Sequence, residues 1–279
     1  MMLRSKWQAK LPKSSLGDLA NRLLQTVPDE DLAQLTLDGL LGRTQWAQDH
    51  LAQSDAQIEA LNPDVERDGW GSPHTVLAVC VKDQPFLVDS LRLEIRKHGH
   101  AIHLTQNLVL AAGDDLNPHS EPRAVVLIEL DRIQSTTGLR AMTTAIQHVL
   151  ALLTSSVEDY SAMDERIVSL SQQFDGESAE FLNWLSQDHF TFLGYANSDS
   201  ERLGICRLKE DTVNFCNPAS ETLWFDKAPV RSSIHRGAYM DRIVLSTGKG
   251  KSRVEHHFLG LYTSRVYQEF AIDIPLVRD

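Results

Sequence analysis

The chain has 279 residues, enough to bury two hydrophobic cores, and its 42% apolar and 23% charged residues make an ordinary globular balance that excludes wholesale disorder. Its formal charge of −11, with no Lys/Arg run to offset it locally, argues against nucleic-acid and membrane partners, because both present negative surfaces. Cys80, Cys206 and Cys216 are odd in number, far apart and outside any C-x-x-C pair, so they read as reduced thiols. The first 26 residues lack the apolar core of a signal peptide and no later stretch is long enough to span a bilayer, which together predict a cytoplasmic protein.

Leu16, Leu19, Leu23 and Val27 recur at helical spacing after Ser14-Ser15, and Pro28 ends the pattern. A second helix is expected from Asp29 onward, carrying Leu32, Leu35, Leu40, Leu41, Ala47 and Leu51. Asn62-Pro63 and the Gly69 to Pro73 stretch then break order, so residues 1–68 read as an N-terminal helical segment. Thr75 to Val81 is a strand, and Asp83-Gln84-Pro85 punctuates it. Pro85 fits the first turn of a helix whose face carries Leu87, Leu91 and Ile95 and which Gly99 ends. Strands follow from Ile102 to Leu110 and from Ala124 to Leu130, and Leu139, Met142, Ile146, Val149, Leu150 and Leu153 mark another helix.

The order β-α-β-β-α, completed by one more strand, is the ferredoxin-like plan, with two helices on one face of an antiparallel sheet. No strand signal lies between Ser155 and Phe174, so the closing strand is expected from a later segment or a partner chain, unless the sheet is shorter than the plan. This domain is assigned to residues 69–160. Residues 161–279 form a second α+β module, opening with a helix from Glu177 to Gln187. Its strand candidates are Phe190 to Tyr195, Gly204 to Lys209, Thr212 to Cys216, Arg242 to Ser246 and Glu255 to Tyr262. The overall class is therefore α+β.

Chemistry-bearing motifs are weak. Gly250-Lys251-Ser252 copies the end of a phosphate-binding loop, but Leu245 stands where the earlier glycine is required and a strand follows in place of a helix; Gly248 to Lys251 is most simply a hairpin turn. No G-x-G-x-x-G lies between a strand and a helix, and no nucleophile elbow occurs. His98, His100 and His103 could hold a metal, yet two of them flank a helix-ending glycine and the third falls on a polar strand face, so no metal site is assigned. His256-His257 point to opposite faces of a strand, and Asp188-His189 has no nucleophile or oxyanion donor beside it. Trp70, Trp184, Trp224, Phe190 and Phe192 read as core or interface anchors. No catalytic residue is assigned.

Val81-Lys82-Asp83-Gln84-Pro85-Phe86-Leu87-Val88-Asp89-Ser90, followed by Gly99 and Ala101-Ile102-His103, resembles the first strand, loop and helix of ACT regulatory domains. The D-x-P-F-L-V-D-S form is similar to the first ACT-like domain of the large NAD-dependent glutamate dehydrogenases. Two later stretches resemble the same family in the same order: Phe181 to Tyr195, and Arg253 to Ser264 with Asp273-Ile274-Pro275-Leu276.

The resemblance implies an N-terminal regulatory and oligomerisation segment of ACT-like and PAS-like modules. It also implies a distant catalytic domain that deaminates glutamate oxidatively to 2-oxoglutarate, with NAD bound there and no cofactor in this segment. Expected partners are further copies and other domains of the same polypeptide, with the chain either the first part of a longer product or a truncated paralogue. The alternative it implies is a free-standing amino-acid sensor whose effector lies against Asp83, Gln84, Pro85, Phe86 and Leu87. At the position after D-x-P, effector-binding ACT domains carry glycine; Phe86 would crowd an effector there, and the dehydrogenase family's own Phe points to docking in preference to sensing.

Overall fold

The computed structural model describes residues 2–208, 240–248 and 252–262. The chain divides into two compact units, residues 1–150 and 151–279, and each is described by itself.

In the first unit, α1 (Met2–Gln8), α2 (Ser15–Gln25) and α3 (Leu37–Leu51) precede every strand. Ser14 Oγ accepts the Gly17 amide at 3.4 Å and Thr36 Oγ1 the Gly39 amide at 3.1 Å, so each of the two longer helices opens on a side-chain cap. The single helix expected after Asp29 is interrupted: a 3-10 turn spans Asp31–Gln34, and Leu35 and Thr36 are extended before α3 begins. That break places Thr36 where a capping hydroxyl works.

Next come β1 (Gln57–Leu61), the single-turn α4 (Val65–Asp68), β2 (Thr75–Lys82), α5 (Leu87–Lys97), β3 (Ile102–Leu110), β4 (Arg123–Leu130) and α6 (Thr136–Glu158), which runs past the unit boundary. The strands form one antiparallel sheet in the order β1-β2-β4-β3. The closing strand is thus neither downstream nor from a partner, as the sequence had suggested; β1, from upstream, fills the edge beside β2, pairing Gln57 with Cys80 and Leu61 with Val76.

Residues Thr75 to Val81 of β2 are all buried, which requires cover on both faces of the sheet. On one face Ala78, Cys80, Leu104, Leu110, Val125 and Leu127 join Leu19, Leu23, Leu24, Leu40, Ala47 and Leu51 from α2 and α3 in a single cluster. The alternate residues Leu77, Val79, Val126 and Ile128 point the other way and are equally buried, on the side left to the inward faces of α5 (Leu91, Ile95) and α6 (Met142, Ile146). Burying each of these leucines contributes on the order of 2 kcal/mol.

Arg43, only 4% exposed, locks the N-terminal layer to the sheet. Its Nε donates to Gly39 O at 2.9 Å and its Nη1 to Gln106 Oε1 at 3.2 Å, while Nη2 is paired with Glu129. Gln106 Nε2 in turn donates to Leu23 O at 3.2 Å. Arg123, also buried, donates to Gln53 O and Ser54 O at 2.8 and 3.1 Å, a cation placed at the carbonyl end of α3.

The second unit contains α7 (Tyr160–Ser171), α8 (Gly176–Trp184), a π-turn at Leu185–His189, β5 (Phe190–Asn197), β6 (Arg202–Gly204), β7 (Met240–Thr247) and β8 (Val254–Tyr262). Its sheet is antiparallel, in the order β6-β5-β8-β7. Met163, Ile167 and Leu170 of α7 pack with Leu182, Leu185, Phe190, Phe192, Tyr195, Ile243, Leu245 and Phe258. The expected helix to Gln187 ends earlier, because Asp188 is left-handed at φ 62°. The strand expected from Gly204 to Lys209 is the short β6 and then a 3-10 turn, Ile205–Arg207. Gly204 turns the chain at φ 60°, where a Cβ would lie 2.2 Å from Leu193 O. The strand candidate from Thr212 to Cys216, Trp224 and the Asp273 to Leu276 motif lie outside the described residues.

Cys80 is a buried free thiol whose pKa burial pushes up, as its reading as a reduced thiol expects, and Cys216 lies outside the described residues. Among the described residues no helix is long and apolar enough to cross a membrane.

Candidate functional site

The turn between β2 and α5 carries the residues to which an effector was assigned. The Asp83 amide donates to Pro122 O at 3.0 Å, tying the turn to the residue before β4. Asp83 and Gln84 are half-buried, Pro85 is exposed and Leu87 is buried against the core. Helix α5 starts at Leu87, so Pro85 lies ahead of it and not in its first turn as expected. The cause is Phe86, at φ 61° and ψ 10°, a left-handed conformation that cannot continue a helix. The structure therefore keeps at Phe86 the backbone that glycine favours, on a bulky residue for which it costs about 1–3 kcal/mol.

Around this turn lies an open concavity of about 190 Å³ lined by Asp83, Gln84, Phe86, Leu87, Val88, Asp89 and Asn107. Four of the five assigned residues meet there; Pro85 does not. Asn107 comes from β3, 20 residues beyond the helix start, and was not among the assigned residues, because the alternation along β3 does not reveal what its faces adjoin. Two aspartates, the amide groups of Gln84 and Asn107, and an exposed aromatic ring equip the concavity for polar contacts and packing, but it has no paired acid and base or nucleophile.

The histidine cluster lies at the other end of α5. His98 Nε2 is 3.1 Å from Glu94 Oε1 on the preceding turn, and His103 Nε2 is 2.9 Å from Asp131 Oδ1 while its ring stacks on His74 at 4.0 Å. The Ala101 amide, donating to Asp131 at 2.7 Å, and then His103 hold the Asp131 carboxyl below its usual pKa. Among the described residues no three His, Cys, Asp or Glu side chains converge as a metal site.

In the second unit His189 stacks on Trp184 at 4.4 Å, and Asp188 serves as the left-handed turn residue. Gly248, at φ 77°, has a virtual Cβ 2.2 Å from Ser252 O, the close approach of a hairpin between antiparallel β7 and β8; Lys249 to Lys251 lie outside the described residues.

One polar chain here was missed at the sequence level. Asn197 Oδ1 accepts the amides of Asp199 and Glu201, both at 3.0 Å, so its Nδ2 is the donor to Tyr195 OH at 3.1 Å and to Glu201 Oε2 at 3.0 Å. The Tyr195 proton is left for His256 Nδ1 at 2.8 Å, which assigns the His256 proton to Nε2, donating to Thr247 Oγ1 at 2.9 Å. Burial, with Arg166 nearby, pushes the His256 pKa down, and burial pushes that of Tyr195 up. The chain fixes the register of β5 against β8. The adjacent His256-His257 pair gave no hint of it, since its partners lie 61 and 9 residues away.

A domain model described as the ACT1 domain of glutamate dehydrogenase matches residues 19–146. The match begins inside α2 and ends inside α6, so it takes in α2, α3 and β1 together with the strands and helices downstream. The NAD-specific glutamate dehydrogenase of Halomonas elongata is 30% identical over 335 aligned residues, covering 99% of this chain and 21% of that protein. That of Pseudomonas aeruginosa is 31% identical over 326 residues, covering 96% of this chain and 20% of its own length. The chain thus spans about a fifth of the length of these relatives.

Proposed function

This chain belongs, through its ACT1 domain at residues 19–146, to the glutamate dehydrogenase family, and from that premise we propose that it is a non-catalytic regulatory and assembly segment of an NAD-specific enzyme. The observation that carries this reading is the alignment of nearly the whole chain with a fifth of the relatives' length, over a domain whose sheet is filled by helices on both faces. In this reading the oxidative deamination of glutamate and the NAD it uses belong to other parts of the polypeptide. What this chain contributes is surface: strand edges, helix faces and the turn at Phe86. Incubating the purified chain with glutamate and NAD should give no NADH absorbance above a protein-free blank. NADH formation proportional to chain concentration would overturn the assignment.

The concavity favours a second reading, an amino-acid sensor. Asp83 and Asp89 offer carboxylates to an ammonium group, and Gln84 and Asn107 offer amides to a carboxylate. Phe86 narrows the opening but does not fill it. A thermal-shift panel of the twenty amino acids decides this: a true effector at a hundred times its dissociation constant stabilises the domain by about 2.7 kcal/mol. No shift with any of them removes the sensor reading and leaves the assembly reading standing.

A further inference from the structure

Charge is unevenly distributed along the first unit. Residues 1–17 hold four cations, Arg4, Lys6, Lys10 and Lys13, and no carboxylate, in a chain whose net charge is −11. Arg4 is engaged within the chain: its guanidinium donates to Val27 O at 2.7 Å and pairs with Asp29 at 2.6 Å, beyond the carbonyl end of α2. Lys6, Lys10 and Lys13 are exposed, and among the described residues none of them has an ion-pair partner. Their backbone is nonetheless fixed. Trp7 and Leu11 pack against the buried cluster that α2 joins, and Pro12 O sits so close to Gly17 that a Cβ there would lie 1.7 Å from it. The loop of Lys10, Pro12 and Lys13 is thus a preformed basic ridge at the head of α2.

Leu16, three residues beyond Lys13, belongs to the wall of a second concavity, of about 240 Å³. Leu41 and Trp70 give it an apolar floor. Gly42 lets the Trp70 ring lie against α3, and Gly69, left-handed at φ 74°, leaves the opening unfilled, since nothing lies within 4 Å of where its side chain would start. Asp38, Gln45 and Asp68 are the exposed polar residues of the lining. Asp68 is paired with Arg67 at 2.7 Å, whereas Asp38, in the first turn of α3, has no ion-pair or hydrogen-bond partner among the described residues. An unneutralised carboxylate over an apolar floor therefore borders an unneutralised row of lysines.

We infer that this border is an interface between two copies of the chain, with the basic ridge at residues 10–13 of each seated in the Asp38 concavity of the other about a two-fold axis. The inference deepens the assembly half of the proposed function and rests on it. A two-fold contact needs a surface that complements itself, and adjoining halves of opposite charge meet that need, because the rotation lays the lysines of one copy over Asp38 of the other, twice. The lysine stems and the exposed Pro12 supply apolar atoms for Leu16, Leu41 and the edge of Trp70, while the ammonium heads remain beside Asp38. A second copy is the occupant for a reason of charge. Every copy that brings the acidic half also brings its complement, in a chain whose net charge of −11 opposes self-contact where acids face acids. An unrelated basic segment would neutralise Asp38 but leave the lysine ridge facing nothing.

Sedimentation velocity on the 279-residue chain, from micromolar to submillimolar concentration, tests the inference, with thermal melts run on every variant. The native chain should dimerise, and more weakly in about 0.5 M than in about 0.05 M salt, because exposed charges are screened. An exposed ion pair contributes up to about fivefold in affinity and occurs twice here, so Asp38→Lys should weaken the dimer about tenfold or more. Lys10→Asp with Lys13→Asp should do the same, and all three changes in one chain should restore association, since each copy then offers the reversed pair. Gln45→Trp sets an indole across the concavity and should weaken association while the melting temperature of the dilute monomer stays unchanged. A chain that stays monomeric, a dimer indifferent to salt, or a dimer that Asp38→Lys and Gln45→Trp leave intact overturns the inference. So does a triple variant that fails to restore association while melting as the native chain does. None of these outcomes touches the non-catalytic assignment, which the turnover assay reads.

Discussion

The two sheets of this chain have the same number of strands and the same antiparallel sense, yet they are held by different means. Seven consecutive residues of β2 are buried, because helices cover both faces of the first sheet, and the cover is fastened by Arg43 and Glu129. In β5 burial alternates along the first half of the strand, as in a sheet with one filled face, and a neutral polar chain through Tyr195 and His256 fixes its register. The first design depends on a buried charge pair between the helical layer and the sheet. The second also buries a carboxylate, Asp159, against Arg207, and its neutral imidazole is exposed to protonation.

Breaking the fastening of the first sheet should have the largest effect. Arg43→Ala strands Glu129 and leaves Gln106 Oε1 without its donor, and removing one member of a buried pair costs about 3–5 kcal/mol. Urea unfolding should show that loss in the first unit only; a loss below about 1 kcal/mol would mean that the pair is not the fastener. Gly42→Ala probes the same layer. Its Cβ would lie 2.2 to 2.4 Å from the Trp70 ring. Overpacking of about 1–3 kcal/mol should exceed the gain of about 1 kcal/mol that alanine brings to a helix interior. A stabilised variant would show that α3 can shift on the sheet.

In the second unit, Tyr195→Phe removes the hydroxyl between Asn197 and His256 and leaves the imidazole Nδ1 without its donor, at about 1–3 kcal/mol. Nitrogen shifts of His256 sharpen this, since the native protein should show the proton on Nε2. The pH response follows from the same residue. The folded pKa of His256 lies below the ordinary 6.5, so on acidification the unfolded chain takes up the proton first. Stability of the second unit should therefore fall as pH drops through 6.5 and stop falling below the folded pKa. His256→Asn should abolish that slope while the first unit keeps its own profile. An unchanged slope would assign it to another group.

Much of this was legible in the sequence. The strands from Thr75 and Ile102, the helix carrying Leu91 and Ile95, and the strand ending at Leu130 follow from periodicity, and the D-x-P-F-L stretch located the turn that forms the concavity. The unbroken apolar run of β2 carried a signal that the expectation of two helices on one face did not use: a strand without alternation calls for two covered faces, and the N-terminal helices, read as a separate segment of residues 1–68, supply the second. Strand β1 was not legible: five residues with one buried position carry no period, and their partner lies across α4 in the chain. Helix α7 left its signal in Met163, Ile167 and Leu170. The left-handed backbone at Phe86 could not be read from Phe86 itself, whose residue type disfavours it.

Amide exchange compares the two edges of the first sheet most directly. The Ala60 amide of β1, bonded to Thr143 Oγ1, should be protected, while the amides of β3 within residues 103–109 that face away from β4 should exchange quickly. Protection of those β3 amides equal to that of Ala60 would contradict the account.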